Sequence, residues 1–418
     1  MIEPFQVIVL FSVTIILSYF SGLIYSKIKV PDIVWLLVFG FLLGPILGLI
    51  EKEVYVEASQ IMGVVALNII TFGAGIDTDI EALREVLTKS AALATMTFIT
   101  IVLAMGAIVR LYPPFPLSVW EGMLLGTMIA GISTVSILSI LDRLQVLMPE
   151  IDATRTILAL ESTIVDPMRI VVALTIIRMV KFANLDLITS VRSIYTTFIL
   201  ASVLGISFGL FWASLLHRLR GKRYNYVLTI AFIFLVYFLM ESFTGQGGGT
   251  IATFAFGIAL ANHRAFTKRL GLSLRIDRES IVEFNQEISF FVKSYYFVYM
   301  GLIATISRQY IVLGIMLTAV VIAMRAMVGT LVGRVLNFSE RELVISRLMF
   351  PLGTSALVMT QLPLIYDPGQ TVFKHPEIYH NMLLPVLLGT VVFSSLVSPK
   401  IVEMQFREKD SSESRKDR

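Results

Sequence analysis

The sequence predicts an all-α polytopic membrane protein, and three observations carry that prediction. Hydrophobic residues make up 56% of the 418-residue chain and charged residues only 15%, whereas soluble domains hold about 25% charged residues. The mean hydropathy is +0.81. The apolar residues gather into runs of about 20, the length an α-helix needs to cross the hydrocarbon core of a bilayer. The same composition excludes other classes. Without cysteine the chain has no disulfide and no thiolate metal site, and its four histidines lack zinc-ligand spacing. The net charge of +4 is read as topological, because cytoplasmic loops of membrane proteins carry excess Lys and Arg. No nucleic-acid partner and no cofactor are expected.

About thirteen transmembrane segments are expected, at roughly 5–26, 31–50, 58–76, 90–111, 119–141, 155–180, 191–216, 224–242, 248–262, 287–306, 310–333, 343–364 and 380–404. With the N-terminus outside, 24 of the 34 Lys and Arg fall on inner connections and the tail. Seven fall on outer connections, and Arg169, Lys293 and Arg325 lie inside segments. This asymmetry predicts a multi-pass protein of the cell membrane with a cytoplasmic C-terminus. The first segment has no small-residue cleavage site and reads as a span rather than a removable signal. Residues 405–418 read as a short, polar, disordered cytoplasmic tail.

Asp77 to Ser90, with Ile80, Leu83, Val86 and Leu87 at helical spacing, reads as an amphipathic helix on the membrane surface, as does Leu270 to Phe284. The run Gly245 to Gly249 lacks the Lys-Ser/Thr of a phosphate loop and reads as a flexible outer turn. Gly131-Ile-Ser-Thr-Val-Ser136 interrupts the fifth segment, and Pro351-Leu-Gly-Thr-Ser-Ala356 interrupts the twelfth. Such residues at membrane depth suit unwound backbone lining a cavity, and they suit plain helix packing as well. Their equivalent positions predict two inverted six-helix repeats with broken crossing helices. Residues 1–404 then form a single transporter domain: repeat one at about 1–180, a linker helix at about 191–216 and repeat two at about 224–404.

The sixth segment carries the charge. Glu161, Asp166 and Arg169 fall within nine residues of one apolar run, although each charge at membrane depth costs about 2.5–3.5 kcal/mol on insertion scales. On a helix Glu161 and Asp166 lie about 140° apart and face different partners, while Ser162 stacks one turn before Asp166 and Arg169 nearly one turn after. Pro167 has no N–H for the carbonyl of Thr163, which leaves a backbone oxygen beside the Asp166 carboxylate. Carboxylate, hydroxyl and carbonyl together suit a small hard cation. A satisfied packing network around a proline kink is the other reading of these residues. Arg169 either belongs to the site or snorkels to the interface, and Lys293 either pairs with Asp166 or reaches the interface from near its helix end.

Glu161-Ser-x-x-x-Asp166, preceded by a broken fifth segment and followed by Ile322-Ala-Met-Arg325, resembles the cation/proton antiporters of the sodium/proton exchanger type, including their archaeal NhaP-like members. Gly257-Ile-Ala-Leu-Ala-Asn262 and Phe297-Val-Tyr-Met-Gly301 are similar to that family's ninth and tenth spans, so the resemblance covers nearly the whole chain. It implies the NhaA-like antiporter fold and a homodimer. It also implies that Asp166 binds cation and proton alternately, with Ser162 as a supporting ligand and Glu161 with Arg325 as a structural ion pair. The other oxygens available at the breaks are Ser133, Thr134 and nearby backbone carbonyls, and the count of intramembrane charges makes Lys293 and Arg169 candidate modulators. Four positions depart from the family pattern: Val165 replaces Asn or Asp, Ile132-Ser133 replaces Thr-Asp, Gly73 replaces an acid, and Leu352 replaces an arginine.

The function expected is secondary antiport of a monovalent cation, Na+ first and K+ second, against H+, electroneutral and by competition at Asp166. The alternative is a non-transporting or regulatory membrane protein that keeps the fold with a degenerate site. An enzyme is not expected. An intramembrane aspartyl protease needs two facing aspartates, and the spans hold one aspartate beside Glu161.

Overall fold

The computed structural model describes residues 4–28, 32–48, 52–78, 87–111, 117–147, 151–181, 187–245, 247–268, 274–304 and 307–406. Within them, each of the expected apolar segments falls on helix. The chain opens with α1 (Pro4–Ile28), α2 (Asp32–Phe41, drawn out through a π-helical turn at Leu42–Ile46) and α3 (Lys52–Ile76). After α4 (Leu87–Leu111) the fifth segment is split into α5 (Val119–Ile129) and α6 (Thr134–Leu147). The sixth to ninth segments are α7 (Asp152–Lys181), α8 (Leu187–Arg218), α9 (Asn225–Thr244) and α10 (Gly248–Ala261), with a short α11 (His263–Lys268) behind them. Then come α12 (Arg278–Ile303) and α13 (Arg308–Val335). The twelfth segment is broken into α14 (Glu340–Leu348), α15 (Thr354–Met359) and α16 (Leu362–Tyr366). The last, α17 (Glu377–Val392), continues through a second π-helical turn at Phe393–Val397 to Phe406. By length and composition, five described helices can each cross a membrane: α4, α8 from Thr196, α9, α13 and α17 with its extension.

The two broken segments are built alike. Each begins on a capping box, which satisfies first-turn donors from both sides. Ser118 and Glu121 exchange backbone-to-side-chain bonds of 2.8 and 3.3 Å at the start of α5. Ser339 and Glu342 do the same at 2.7 and 3.3 Å at the start of α14. Each half-helix then stops where the sequence supplies Gly131 or Pro351 with Gly353, and the two breaks touch: the Ser133 N–H donates to the Pro351 carbonyl at 2.8 Å. Gly353 permits this approach, since a Cβ there would stand 2.9 Å from the Ser133 Cβ.

Around this crossing, α4 packs on α5, α7 and α13, and α13 packs on α14 and α17. A second hydrophobic cluster joins α3, α8, α9 and α10 around Phe72, Trp212, Ile233 and Phe256. Its seam is made of small residues. A Cβ at Gly257 of α10 would stand 2.7 Å from the Phe72 carbonyl oxygen and 2.8 Å from the Ile76 nitrogen. In hydrocarbon, where apolar surface gains little from helix association, such close backbone approach is a main source of packing energy.

Two expectations need correction. Arg278 to Phe284 is not a separate surface helix: Asp277 caps α12, its carboxylate accepting the Ser280 N–H at 3.2 Å, and the helix runs unbroken to Ile303. The run from Gly245 to Gly249 is a pinned turn rather than a flexible one. Gly245 and Gly247 take positive φ of 79° and 89°, and the Glu241 carboxylate accepts the Gly247 and Gly249 N–H groups at 2.8 and 2.9 Å. Its central residue 246, residues 79–86 and 270–273 of the expected surface helices, and residues 407–418 of the expected disordered tail lie outside the described residues.

Because the atoms facing Gly257 are backbone, they cannot rotate away. Gly257→Ala should therefore cost about 1–3 kcal/mol by overpacking, read as a lower unfolding midpoint in detergent. Gly22→Ala, where a Cβ meets nothing within 4 Å, should leave the midpoint unchanged or raise it. Equal midpoints for the two variants would remove the close-approach account of this seam.

Candidate functional site

α7 crosses behind both breaks and presents its charged residues on two faces. On one face Arg169 is fully buried, and its guanidinium reaches three structural units. Its Nε donates to the Thr127 carbonyl at 3.0 Å and its Nη2 to the Met128 carbonyl at 2.6 Å. Its Nη1 donates to Asp166 Oδ1 at 3.0 Å and to Ser355 Oγ at 2.9 Å. Thr127 and Met128 sit in the last turn of α5, whose carbonyls have no following helical N–H to accept. The negative end of the half-helix favours a cation there. Gly131 is required beside it, since any side chain at that position would overlap the guanidinium.

Asp166 completes the group. The Ser355 hydroxyl, at the start of α15, donates to Asp166 Oδ1 at 3.1 Å while accepting from Arg169. Both hydrogen bonds to Asp166 thus fall on one carboxylate oxygen, and the side chain keeps 22% of its surface accessible. Arg169 does not snorkel. It is a central member of the site, where sequence reasoning made it a modulator, because the orphan carbonyls of α5 and the Asp166 carboxylate together compensate its burial.

Ser162 and Thr134 form a separate polar group with the Ile132 carbonyl one turn away, and Ser133 stands apart from it at the start of α6. Ser162 Oγ donates to the Ile132 carbonyl at 2.8 Å and accepts from Thr134 Oγ1 at 2.7 Å. Ser133 Oγ accepts the Ser136 N–H at 3.3 Å, in the manner of a helix cap for α6. The expected alignment of Ser162 with Asp166 is therefore replaced by a bond from Ser162 into the break of the fifth segment. The unwound carbonyl of Ile132 takes the Ser162 hydroxyl, and Arg169 and Ser355 engage Asp166. Lys293 of α12 is half-buried, and its charge acts on both Asp166 and Asp77.

On the other face of α7, Glu161 meets Arg325 of α13 in a bidentate pair, with Arg325 Nη2 donating to Glu161 Oε2 at 2.8 Å and Nη1 donating to Oε1. Arg325 also donates to the Ser346 carbonyl at 2.7 Å and to Thr97 Oγ1 at 3.2 Å, and lies over the Phe350 ring. Both charges are buried. This pair ties α7 to α4, α13 and α14 directly behind the crossing.

Sequence reasoning missed Ser355 and the carbonyls of Thr127 and Met128. Ser355 lies in the interruption of the twelfth segment, where the signal is the pair of hydroxyl-bearing residues, Thr354 and Ser355, after Gly353. The carbonyls leave no mark in the sequence.

Removing one partner of the buried Glu161–Arg325 pair leaves an uncompensated charge, so Glu161→Gln or Arg325→Gln should each lower stability by about 3–5 kcal/mol. The double variant should unfold at a higher temperature than the worse single variant. A double variant no more stable than that single one would show that the two charges do not support each other.

Comparison with known proteins places this geometry. The family model for the sodium/hydrogen exchanger, transmembrane, matches residues 12–407. Two curated relatives come from Methanocaldococcus jannaschii. The probable Na+/H+ antiporter 2 is 24% identical over 286 residues, covering 66% of this chain and 64% of the relative. The Na+/H+ antiporter 1 is 25% identical over 297 residues, covering 69% of this chain and 66% of the relative. Among solved structures, the sodium proton antiporter MjNhaP1 of the same organism at pH 8 superposes with a TM-score of 0.81 over 96% of this chain and 100% of that one, at 21% identity. An electron-microscopy structure of the same antiporter gives 0.70 over 97% of both chains. The arrangement of broken helices is that fold, and the chain belongs to the sodium/hydrogen exchanger family.

Proposed function

We propose that this chain exchanges a monovalent cation, Na+ first and K+ second, for protons across the cell membrane, with Asp166 as the group that holds either one. The observation that carries this reading is the position of Asp166: a partly accessible side chain, hydrogen-bonded among the described residues through one carboxylate oxygen, where the breaks of α5/α6 and α14/α15 meet. Unwound backbone at membrane depth is tolerated where it lines a cavity, and paired broken helices at mid-membrane are the usual place for substrate and coupling ion. Family membership and the antiporters among its relatives support the same reading. Ser355 joins Asp166 as a ligand, and the Ser162–Thr134–Ile132 group supplies further oxygens one turn along the path.

Two inverted repeats, about 1–180 and 224–404 around a linker helix, account for the matched breaks. Lys and Arg counts favour the N-terminus outside and the C-terminus cytoplasmic. A homodimer within membrane lipid is the assembly that accompanies this reading. The alternative, a regulatory protein with a degenerate site, draws on Val165, Ser133, Gly73 and Leu352, but Asp166 stays at the crossing with an accessible carboxylate.

A cation and a proton that compete for one carboxylate carry the same charge. Whatever Arg169 contributes, the two loaded forms differ by no net charge, and exchange should be one for one. The test is proton flux in proteoliposomes on addition of Na+, K+ or Li+. Asp166→Asn should reduce the flux to that of empty liposomes while the protein remains folded; flux at the intact rate would rule out the site.

Only moved charge couples to membrane potential, at about 2.3 kcal/mol per charge per 100 mV. Exchange rate and end point should therefore be unchanged when a valinomycin-set potential is imposed. A voltage response would refute electroneutral exchange, and its loss in Lys293→Ala would identify that lysine as carrier of a second proton.

A further inference from the structure

The guanidinium of Arg169 sits where the proposed substrate should. Four oxygens converge on it: the Thr127 and Met128 carbonyls, Asp166 Oδ1 and Ser355 Oγ, at 2.6–3.0 Å. One carboxylate, one hydroxyl and two helix-end carbonyls are the ligand types a hard monovalent cation takes in place of water. Two features separate this arrangement from a plain helix cap. A cap of α5 needs only its two carbonyls, yet Nη1 is turned to Asp166 and Ser355, which belong to other elements. The space the guanidinium fills is also kept free of any other side chain by Gly131.

Resting on the reading that Asp166 is the transport carboxylate, we infer that Arg169 is a tethered surrogate cation. Its guanidinium occupies the ligand set of the transported ion, and the ion binds only in molecules where the guanidinium has released Asp166. The tether is short, because Arg169 is three residues from Asp166 on the same helix, so rotation about its side-chain bonds can free the site without moving α7. Desolvation is shared as well. With the guanidinium in place the Asp166 carboxylate is neutralised, and a second cation brought beside it would meet a net positive field at short range. The consequence is a site whose apparent dissociation constant is the intrinsic one divided by the fraction of molecules that are open. An open fraction of about 1–10% weakens binding roughly 10- to 100-fold.

The experiment uses the full chain in detergent and in proteoliposomes, comparing intact protein with Arg169→Ala, Arg169→Gln and the double variant Asp166→Asn/Arg169→Ala. In Arg169→Ala the Na+ concentration for half-maximal proton flux should fall by roughly 10- to 100-fold. Its unfolding midpoint should rise with NaCl relative to choline chloride at equal ionic strength, which the intact protein's should not. Free guanidinium at low millimolar concentration should refill the vacated space, raising both the midpoint of Arg169→Ala and the Na+ concentration needed for half-maximal flux. Arg169→Gln keeps N–H donors for the carbonyls but loses the charge, so it gives the same comparison should the alanine variant fail to fold.

Half-saturation within twofold of the intact protein in either variant, with no Na+ or guanidinium effect on unfolding, would overturn the inference and leave Arg169 as a structural cap. Na+ stabilisation that persists in the double variant would overturn it too. Failure of the underlying reading looks different: Asp166→Asn alone would transport at the intact rate, and the unfolding measurements would then decide what Arg169 occupies.

Discussion

Inside a bilayer a helix that stops must satisfy the carbonyls it leaves behind, and much of this structure follows from how that is done at one point. The last turn of α5 ends at membrane depth, and the guanidinium of Arg169 takes the carbonyls of Thr127 and Met128. With no water at hand, each unmet backbone group would cost several kcal/mol. A buried arginine then requires a counter-charge, and Asp166 supplies it from the same helix. Ser355 closes the group from α15, so the two broken segments and the unbroken α7 become one unit. Gly131 and Gly353 are the spatial conditions for it, one vacating the volume of the guanidinium and the other admitting the backbone of Ser133.

The charges of α7 are divided by the helical period. Glu161 turns to α13 and finds Arg325 in a dry pocket, while Asp166 turns to the crossing and keeps part of its surface accessible. This division separates two tasks that conflict on one residue. A carboxylate held bidentately by a buried arginine is committed and holds helices together. A carboxylate bonded through one oxygen is available for exchange. The α3–α8–α9–α10 cluster carries small residues on its seams and few charges at membrane depth. Its cohesion is packing rather than electrostatics.

The departures from the family pattern acquire a physical sense when they are read together. Where the resemblance leads one to expect Asn or Asp at 165 and an acid at 133, this chain has Val165, which is buried, and Ser133, which caps α6. Losing acids from the crossing reduces its capacity to hold a free cation, and Arg169 brings a fixed one. The net charge of the crossing is thereby kept near zero. That is the condition for burying it at all.

The expected segments, their two interruptions and the facing of Glu161 away from Asp166 were legible because they depend on local quantities; Arg325 as the partner of Glu161 came from the family resemblance. Apolar run length, glycine and proline placement and the 100° step of an α-helix are all properties of consecutive residues. The Asp166–Arg169 spacing of three was legible in the same way. Which of its neighbours Asp166 engages was not, because Ser162, four residues before it, and Arg169, three after, are both within reach of it on the helix. The choice was made by the carbonyls of residues 127, 128 and 132, arriving from another segment. By itself the sequence determined a bundle of apolar helices with charge at one level and two breaks able to meet there. Only the tertiary structure decided that Arg169 stays inside rather than reaching the interface, that Ser355 faces Asp166, and that Ser162 turns away. Each of those outcomes depends on groups from other segments whose positions exist only once the half-helices have crossed.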